Sequence, residues 1–380
     1  MKRAFVTRRN VTMAASAVLL SACSIIPKGP ETPSAGAPAP APSSSSLPED
    51  NLHRVALLVP LSGQNGDVGQ SIANATTMAI LDTAADNLRI TTYDTAKGPQ
   101  AAASQAIADG NKLILGPLLG SNVVSVLAEA RPANVPIISF SNDTTVAGPG
   151  VFVMGHIPEQ SISRSVEYAR DTGARDFALL APDGDYGNRA EAALRSALGD
   201  HGGQMVSSER YASSNTSVVS AGARLKQRGG FDTVLIADGA EGSIRAAQAV
   251  KSDGLRILGT ERWSGDRDLM RSAPLRGALY SAVSDGRYAG FVRSYQERFG
   301  GQPYRIATLG YDAVLLTLRA ARDWKTGRPF PTDVLFQSGG FDGMDGPFRF
   351  QRNGVIERAF EVRRVTNGGV ETVSAAPRGF

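Results

Sequence analysis

Ser139-Phe140-Ser141-Asn142-Asp143 puts two hydroxyls, a carboxamide and a carboxylate on one short loop. Upstream, Gly116-Pro117-Leu118-Leu119-Gly120-Ser121 supplies a second loop of small and hydroxyl-bearing residues. Groups of these types orient a small polar molecule through hydrogen bonds. They lack what covalent chemistry needs. The chain has no G-x-S-x-G, H-E-x-x-H, P-loop or S-x-x-K, and its three histidines, His53, His156 and His201, are far apart in sequence. Asp183-Gly184-Asp185 and Asp342-Gly343-Met344-Asp345 copy fragments of calcium loops but lack the later bidentate glutamate, so tight turns are expected there. We therefore expect a binding protein, not an enzyme, with no catalytic residue, no cofactor and no metal site.

The elements that must position the two loops can be read from the apolar pattern. Leu113-Ile114-Leu115 is a short strand, Val123, Val124, Leu127 and Ala130 fall at helical spacing before Pro132, and Val135-Pro136-Ile137-Ile138 is a second strand. Strand, helix and strand make a right-handed crossover in a parallel sheet, so both loops leave the carboxyl ends of their strands, where open α/β sheets bind ligands. Val55-Ala56-Leu57-Leu58-Val59-Pro60 starts this half, followed by a loop through Gly69, a helix over 72–84, a strand over 88–93 and a helix over 101–108. After Gly148-Pro149-Gly150 the pattern restarts. Phe177-Ala178-Leu179-Leu180-Ala181-Pro182 repeats the first strand, and Asp183-Gly184-Asp185-Tyr186-Gly187 takes the place of its loop. Strands over 204–211, 233–237 and 256–259 alternate with helices over 218–227 and 243–252. An internal duplication giving two α/β lobes of similar wiring is the expected architecture.

The first residues belong to export rather than to the fold. Lys2, Arg3, Arg8 and Arg9 precede a short apolar run, Val11–Leu20, that is too short to span a bilayer. It ends in Leu20-Ser21-Ala22-Cys23, which resembles the lipobox of bacterial lipoproteins. That resemblance implies residues 1–22 as a signal peptide and Cys23, the single cysteine, as the site of lipidation. Ser24, in place of an inner-membrane retention aspartate, points to the outer membrane, on the periplasmic side of the envelope. Residues 23–51, rich in Pro, Ala and Ser, form a tether that reaches on the order of 80 Å at ~3.1 Å per residue. The precursor has 40 Lys and Arg against 36 Asp and Glu, and removing the four cations ahead of Cys23 leaves 36 of each. A neutral mature chain gives no support to nucleic-acid binding.

The C-terminal third carries a family resemblance. Phe291 to Gly300, Gly310-Tyr311-Asp312-Ala313-Val314, Phe341-Asp342-Gly343-Met344-Asp345-Gly346 and Asn353-Gly354 resemble the type 1 periplasmic binding proteins of the leucine-binding group. Val59-Pro60-Leu61-Ser62-Gly63 and Gly116-Pro117 match that group's first and third loops, and the resemblance runs over about 52–370. It implies two doubly wound parallel-sheet lobes joined by three crossovers, with a cleft between them. The lobes are expected over 52–153 plus about 280–330, and over 154–279 plus about 331–375.

Within that group, Gly116-Pro117-Leu118-Leu119, Ser139 to Asp143 and Leu180-Ala181-Pro182, behind a lipobox and a proline tether, are similar to the penicillin-binding-protein activator lipoproteins. This implies a peptidoglycan synthase as partner and a lipid anchor in the membrane. The alternative is a solute-binding lipoprotein of an ABC importer for branched-chain or related amino acids. Those carriers have S-A-T where this chain has Ser141-Asn142-Asp143, and a serine where it has Gly120 beside Ser121. Asp143 would oppose a ligand carboxylate by like charge. Gly259-Thr260-Glu261 matches the carriers' G-P-E, whose glutamate pairs with the ligand's ammonium. The cleft residues expected from this comparison are Ser62, Gly120, Ser121, Ser139, Ser141, Asn142, Asp143, Tyr186 and Glu261.

Overall fold

The computed structural model describes residues 51–212 and 217–379; the expected signal peptide, Cys23 and the expected tether up to residue 50 lie outside the described residues. The first half alternates β1 (His53–Val59), α1 (Gly66–Thr83), β2 (Leu88–Asp94), α2 (Pro99–Ala108), β3 (Leu113–Leu115), α3 (Gly120–Ala130), β4 (Ile137–Ser139) and β5 (Val151–Val153). These strands form a five-stranded sheet in the order β2-β1-β3-β4-β5, parallel throughout. Val55 to Val59 are wholly buried, as expected for a central parallel strand covered on both faces. Pro99 opens α2 at a position where its missing N–H costs nothing.

The second half continues with α4 (Pro158–Asp171), β6 (Asp176–Pro182), α5 (Asp185–His201), β7 (Gln204–Tyr211), α6 (Ser217–Arg228), β8 (Thr233–Ile236), α7 (Ala240–Val250), β9 (Arg256–Gly259), α8 (Arg267–Arg271) and β10 (Leu279–Val283). The chain then runs through α9 (Tyr288–Phe299), α10 (Thr308–Ala321), β11 (Phe341–Gly343), β12 (Gly346–Phe350), β13 (Ile356–Arg358), β14 (Phe360–Val365) and β15 (Val370–Ser374). The second sheet has the order β15-β14-β10-β9-β8-β6-β7. Without its last two strands, which add antiparallel beside β10, its order is that of the first sheet. Gly69 and Gly187 make the same close approach in the two halves. A Cβ would lie 1.7 Å from the Pro60 carbonyl oxygen in one and 1.9 Å from the Pro182 carbonyl oxygen in the other. Only glycine lets each helix come this near the strand it follows.

The two sheets are the expected pair of doubly wound lobes, but the C-terminal third is shared between them differently from the expectation. Helices α9 and α10 pack on the first lobe. So does the small sheet β11-β12-β13, where the family resemblance implies the second. Phe341, Phe348, Phe350 and Ile356 join the apolar cluster of Leu57, Ile72 and Leu115, and Val153 donates its backbone N–H to Gly354. The aromatic residues of the closing hairpin need a large apolar surface, and α1, α10 and the edge strand β5 supply it. Only β14 and β15 cross to the second lobe.

Candidate functional site

The chain passes between the lobes near His156, near Ser284-Asp285 and at Ala359, and a buried lattice of charge sits at these crossings. Asp345 accepts from Arg305 Nη1 at 2.6 Å and from Thr308 Oγ1 at 2.9 Å, and its Oδ2 lies 2.8 Å from His156 Nε2. Burial would raise its pKa, but Arg305 and His156 outweigh burial and hold the carboxyl well below the usual range. Arg305 also reaches Ser284 O and Asp285 and lies 4.2 Å over the Tyr288 ring. Arg358, wholly buried, donates to Met154 O. Its Nη1 is 3.5 Å from Asp312, whose pKa burial pushes up to about 7. All three crossovers are thus fixed by ionic contacts from residues far apart in sequence.

Above this lattice lies a cavity of about 610 Å3 lined by both lobes. Val68, Leu118, Leu119 and Phe140 form its wall in the first lobe, and Ile306 and Leu309, on the segment entering α10, close it. Its polar groups are Asn65, Asn142, His156, Glu261, Arg262, Ser264 and Arg305. Glu261 follows β9 on a single turn that is set by Gly259. A Cβ on Gly259 would lie 2.3 Å from the Trp263 indole, whose Nε1 donates to Ser243 Oγ at 2.9 Å and Asp238 O at 3.1 Å. This packing directs Glu261 inward, where it is 8% exposed.

Burial pushes the Glu261 carboxyl up to about 7, and its own backbone N–H, the hydrogen bond from Tyr186 and the charge of Arg262 oppose that rise only in part. The Tyr186 hydroxyl is 3.1 Å from Glu261 Oε1 and 2.8 Å from Thr260 Oγ1. With its one proton on the carboxylate, Tyr186 accepts from Thr260. Glu261 Oε2 has no partner. Arg262 lies 4.7 Å over the Tyr186 ring and 3.7 Å from Asp238.

The expected first-lobe donors are arranged differently. Ser139 Oγ donates to Pro117 O at 2.9 Å and accepts from the Ser141 N–H at 3.2 Å. Ser141 Oγ accepts from the Asp143 N–H at 3.0 Å. Asp143 Oδ1 takes the N–H and the hydroxyl of Thr145, at 3.0 and 2.7 Å. Gly120, at the start of α3, faces this loop: a Cβ there would be 3.0 Å from Ser141 Oγ and 3.1 Å from Asp143 Oδ2. The structure therefore brings Gly120, Ser139, Ser141 and Asp143 together, but outside the cavity lining. Of the nine expected residues, Asn142 and Glu261 line the cavity, and Tyr186 reaches it through Glu261. Ser121 is exposed on α3, and Ser62 lies apart, 3.5 Å from Asp94.

Sequence reasoning missed Arg189, Arg262 and Arg305. Arg189, on α5, is bidentate to Glu159 at 2.7 and 2.8 Å and donates to Asn142 O at 2.8 Å, a contact from the second lobe to the first. No motif marks such arginines, because their partners lie on other elements. The one available signal was for Arg262, which adjoins Glu261 in the chain.

The chain matches the periplasmic binding protein family over residues 53–370. It is 30% identical over 160 residues to the uncharacterized protein RP748 of Rickettsia prowazekii, covering 41% of this chain and 43% of that one. It is 29% identical over 152 residues to the penicillin-binding protein activator LpoA of Glaesserella parasuis, covering 40% of this chain and 26% of LpoA. The chain thus spans less than half the length of either relative. Among solved structures, the branched-chain amino acid ABC transporter periplasmic ligand-binding protein of Burkholderia xenovorans superposes with a TM-score of 0.70 at 18% identity, over 84% of this chain and 94% of that one. At that identity the likeness is one of fold.

Proposed function

The chain belongs to the periplasmic binding protein family, and from that footing we propose that it works by binding, without catalysis, as a lipid-anchored regulator of a peptidoglycan synthase of the penicillin-binding-protein type. The anchor is Cys23, and the proline tether carries the folded part from the membrane toward the cell wall. One arrangement separates this reading from amino-acid carriage. The loop that would hold a ligand's α-carboxylate commits the Ser139 hydroxyl and the Ser141 and Asp143 N–H groups to contacts within the protein, and it sets the Asp143 carboxylate against the start of α3. A free amino acid would bring a second carboxylate to that place, and its charge-assisted hydrogen bonds, about 1.5–3 kcal/mol each, would be missing. The similarity to an activator lipoprotein supplies the class of partner.

The test is capture of envelope proteins, solubilised in detergent, on the immobilised full-length protein. Retention of a peptidoglycan synthase is expected, and its absence from the bound fraction counts against the reading. A second reading, solute binding for an ABC importer of branched-chain or related amino acids, is favoured by one feature, the cavity between the lobes with Glu261 buried at its edge. Saturable leucine binding at micromolar concentration, which corresponds to about −8 kcal/mol, would favour that reading.

A further inference from the structure

On the first lobe, where α10 meets β11, lies a second cavity of about 1,000 Å3 that shares no lining residue with the one between the lobes. Its floor is Leu315, Leu316 and Leu318 of α10 with Phe341 and Phe348, whose rings stack at 5.4 Å. Leu315 and Leu318 are only partly buried, so this floor is open from outside. Thr83, Asn87, Gln337 and Ser338, with Gly339 and Gly340, complete the rim without charge. The three charged residues of the lining do not balance. Asp342 is taken by Arg287, at 3.1 and 2.6 Å. Arg319 donates to the Gln337 amide oxygen at 3.2 Å, and neither it nor Arg322 pairs with a carboxylate among the described residues. Both arginines are exposed, and Asp323, next in sequence to Arg322, lies outside the lining. Other arginines of this chain are met by carboxylates: Arg189 by Glu159, Arg224 and Arg228 by Glu209, Arg298 by Asp82. Guanidinium groups three residues apart on a helix share one face. Beside an apolar floor, two that lack a carboxylate fit an anion with an apolar body.

The length of the groove selects the kind of anion. From Leu315 to Arg322, the residue that caps α10, it follows about 10 Å of helix at ~1.5 Å per residue. That is three residues of extended chain at ~3.3 Å each. We propose that this groove docks a short acidic segment of a partner protein, with a large apolar side chain over Leu315, Leu318 and Phe341 and flanking carboxylates on Arg319 and Arg322. The planar fork of each guanidinium takes a carboxylate through two parallel hydrogen bonds, a fit that lysine could not give. The rim is already shaped for this. A Cβ on Gly340, at φ +59°, would lie 2.5 Å from Phe348 O, so the loop over 337–340 is pressed against β12 and little ordering remains for binding to impose. The proposal concerns a face away from the cleft and does not depend on the partner being a synthase.

Fluorescence anisotropy on the full-length protein tests it with three labelled hexapeptides: Glu-Glu-Leu-Phe-Glu-Glu, Gln-Gln-Leu-Phe-Gln-Gln and Glu-Glu-Ser-Ser-Glu-Glu. The first should bind saturably and the other two at least tenfold more weakly. Its affinity should fall as NaCl rises from about 50 to about 300 mM. Arg319→Gln together with Arg322→Gln should weaken it at least tenfold while the melting temperature holds, because both side chains are exposed. Lys226→Gln with Arg271→Gln, the same change of charge on the second lobe, should leave the affinity as it was. No saturable binding of the first peptide at millimolar concentration overturns the proposal. So does equal binding of the glutamine peptide, or an unchanged affinity in the Arg319 and Arg322 double variant. Octanoate that displaces the label at lower concentration than the unlabelled peptide would give the groove to a small amphiphile. A dimer in sedimentation that the same double variant dissolves would give it to a second copy. Either result also overturns the proposal. A failed synthase capture alters none of these outcomes, so the two readings fail separately.

Discussion

Replacing Glu261 by glutamine should make the unliganded protein more stable at neutral and alkaline pH, although it puts an amide in place of a buried, hydrogen-bonded carboxyl. Burial raises the carboxyl from 4.5 to about 7. At ~1.4 kcal/mol per pH unit this is worth about 3 kcal/mol. Below pH 4.5 the group is protonated in both folded and unfolded chains and favours neither. As pH rises toward 7 the unfolded chain releases its proton while the folded one keeps it, so stability falls, and above pH 7 the whole loss is in place. Glutamine never ionises and escapes that loss, but its amide N–H groups gain no partner, at a cost of about 1 kcal/mol. The net gain is about 2 kcal/mol at pH 8. At ~2.1 cal/mol/K per residue, a fold of about 330 residues converts this to a melting rise of about 3 °C. Urea titrations of both proteins at pH 4 and pH 8 give the variant-minus-parent difference, which should grow by about 3 kcal/mol between them. A difference that does not change with pH, or a variant less stable than the parent at pH 8, would refute the burial argument for Glu261.

Other perturbations probe other parts of the account. Asp345→Ala strands the largely buried Arg305 without its closest carboxylate and should cost about 3–5 kcal/mol in denaturant titration. Arg189→Ala removes the contact to Asn142 O and the Glu159 pair. Because that site is partly exposed, the stability loss should be only about 1 kcal/mol, while solution scattering should show a larger radius of gyration as the lobes part. Cys23→Ser should release the protein from the membrane fraction or leave it as precursor, because stable anchoring needs the acyl chains; a fully processed, membrane-bound variant would contradict the lipid anchor.

What could be read in the sequence was what local patterns encode. The strand and helix at Leu113 to Ala130, the repeat of Leu57-Leu58-Val59-Pro60 in Leu179-Leu180-Ala181-Pro182, and the strands over 204–211 and 256–259 all formed within a few residues of expectation. Continuous apolar runs specify buried parallel strands without help from elsewhere. The placement of β11–β13 could not be read so, because Phe341 and Phe348 are equally suited to either core and only the surface offered by α1 and α10 decides. For the site, Glu261 and Asn142, which spacing and resemblance single out, line the cavity. The serines at 139 and 141 were expected to face a ligand, yet a hydroxyl in a tight loop bonds the nearest backbone group as readily. The sequence gives no sign of that competition.

The central claim, regulation of a peptidoglycan synthase by binding, is tested most directly by glycan polymerisation. A purified synthase from the same envelope is assayed on its lipid-linked substrate with increasing amounts of the full-length protein. The account predicts a saturable change in polymerisation rate that free amino acids do not alter. An unchanged rate at saturating protein, together with micromolar leucine binding, would contradict it.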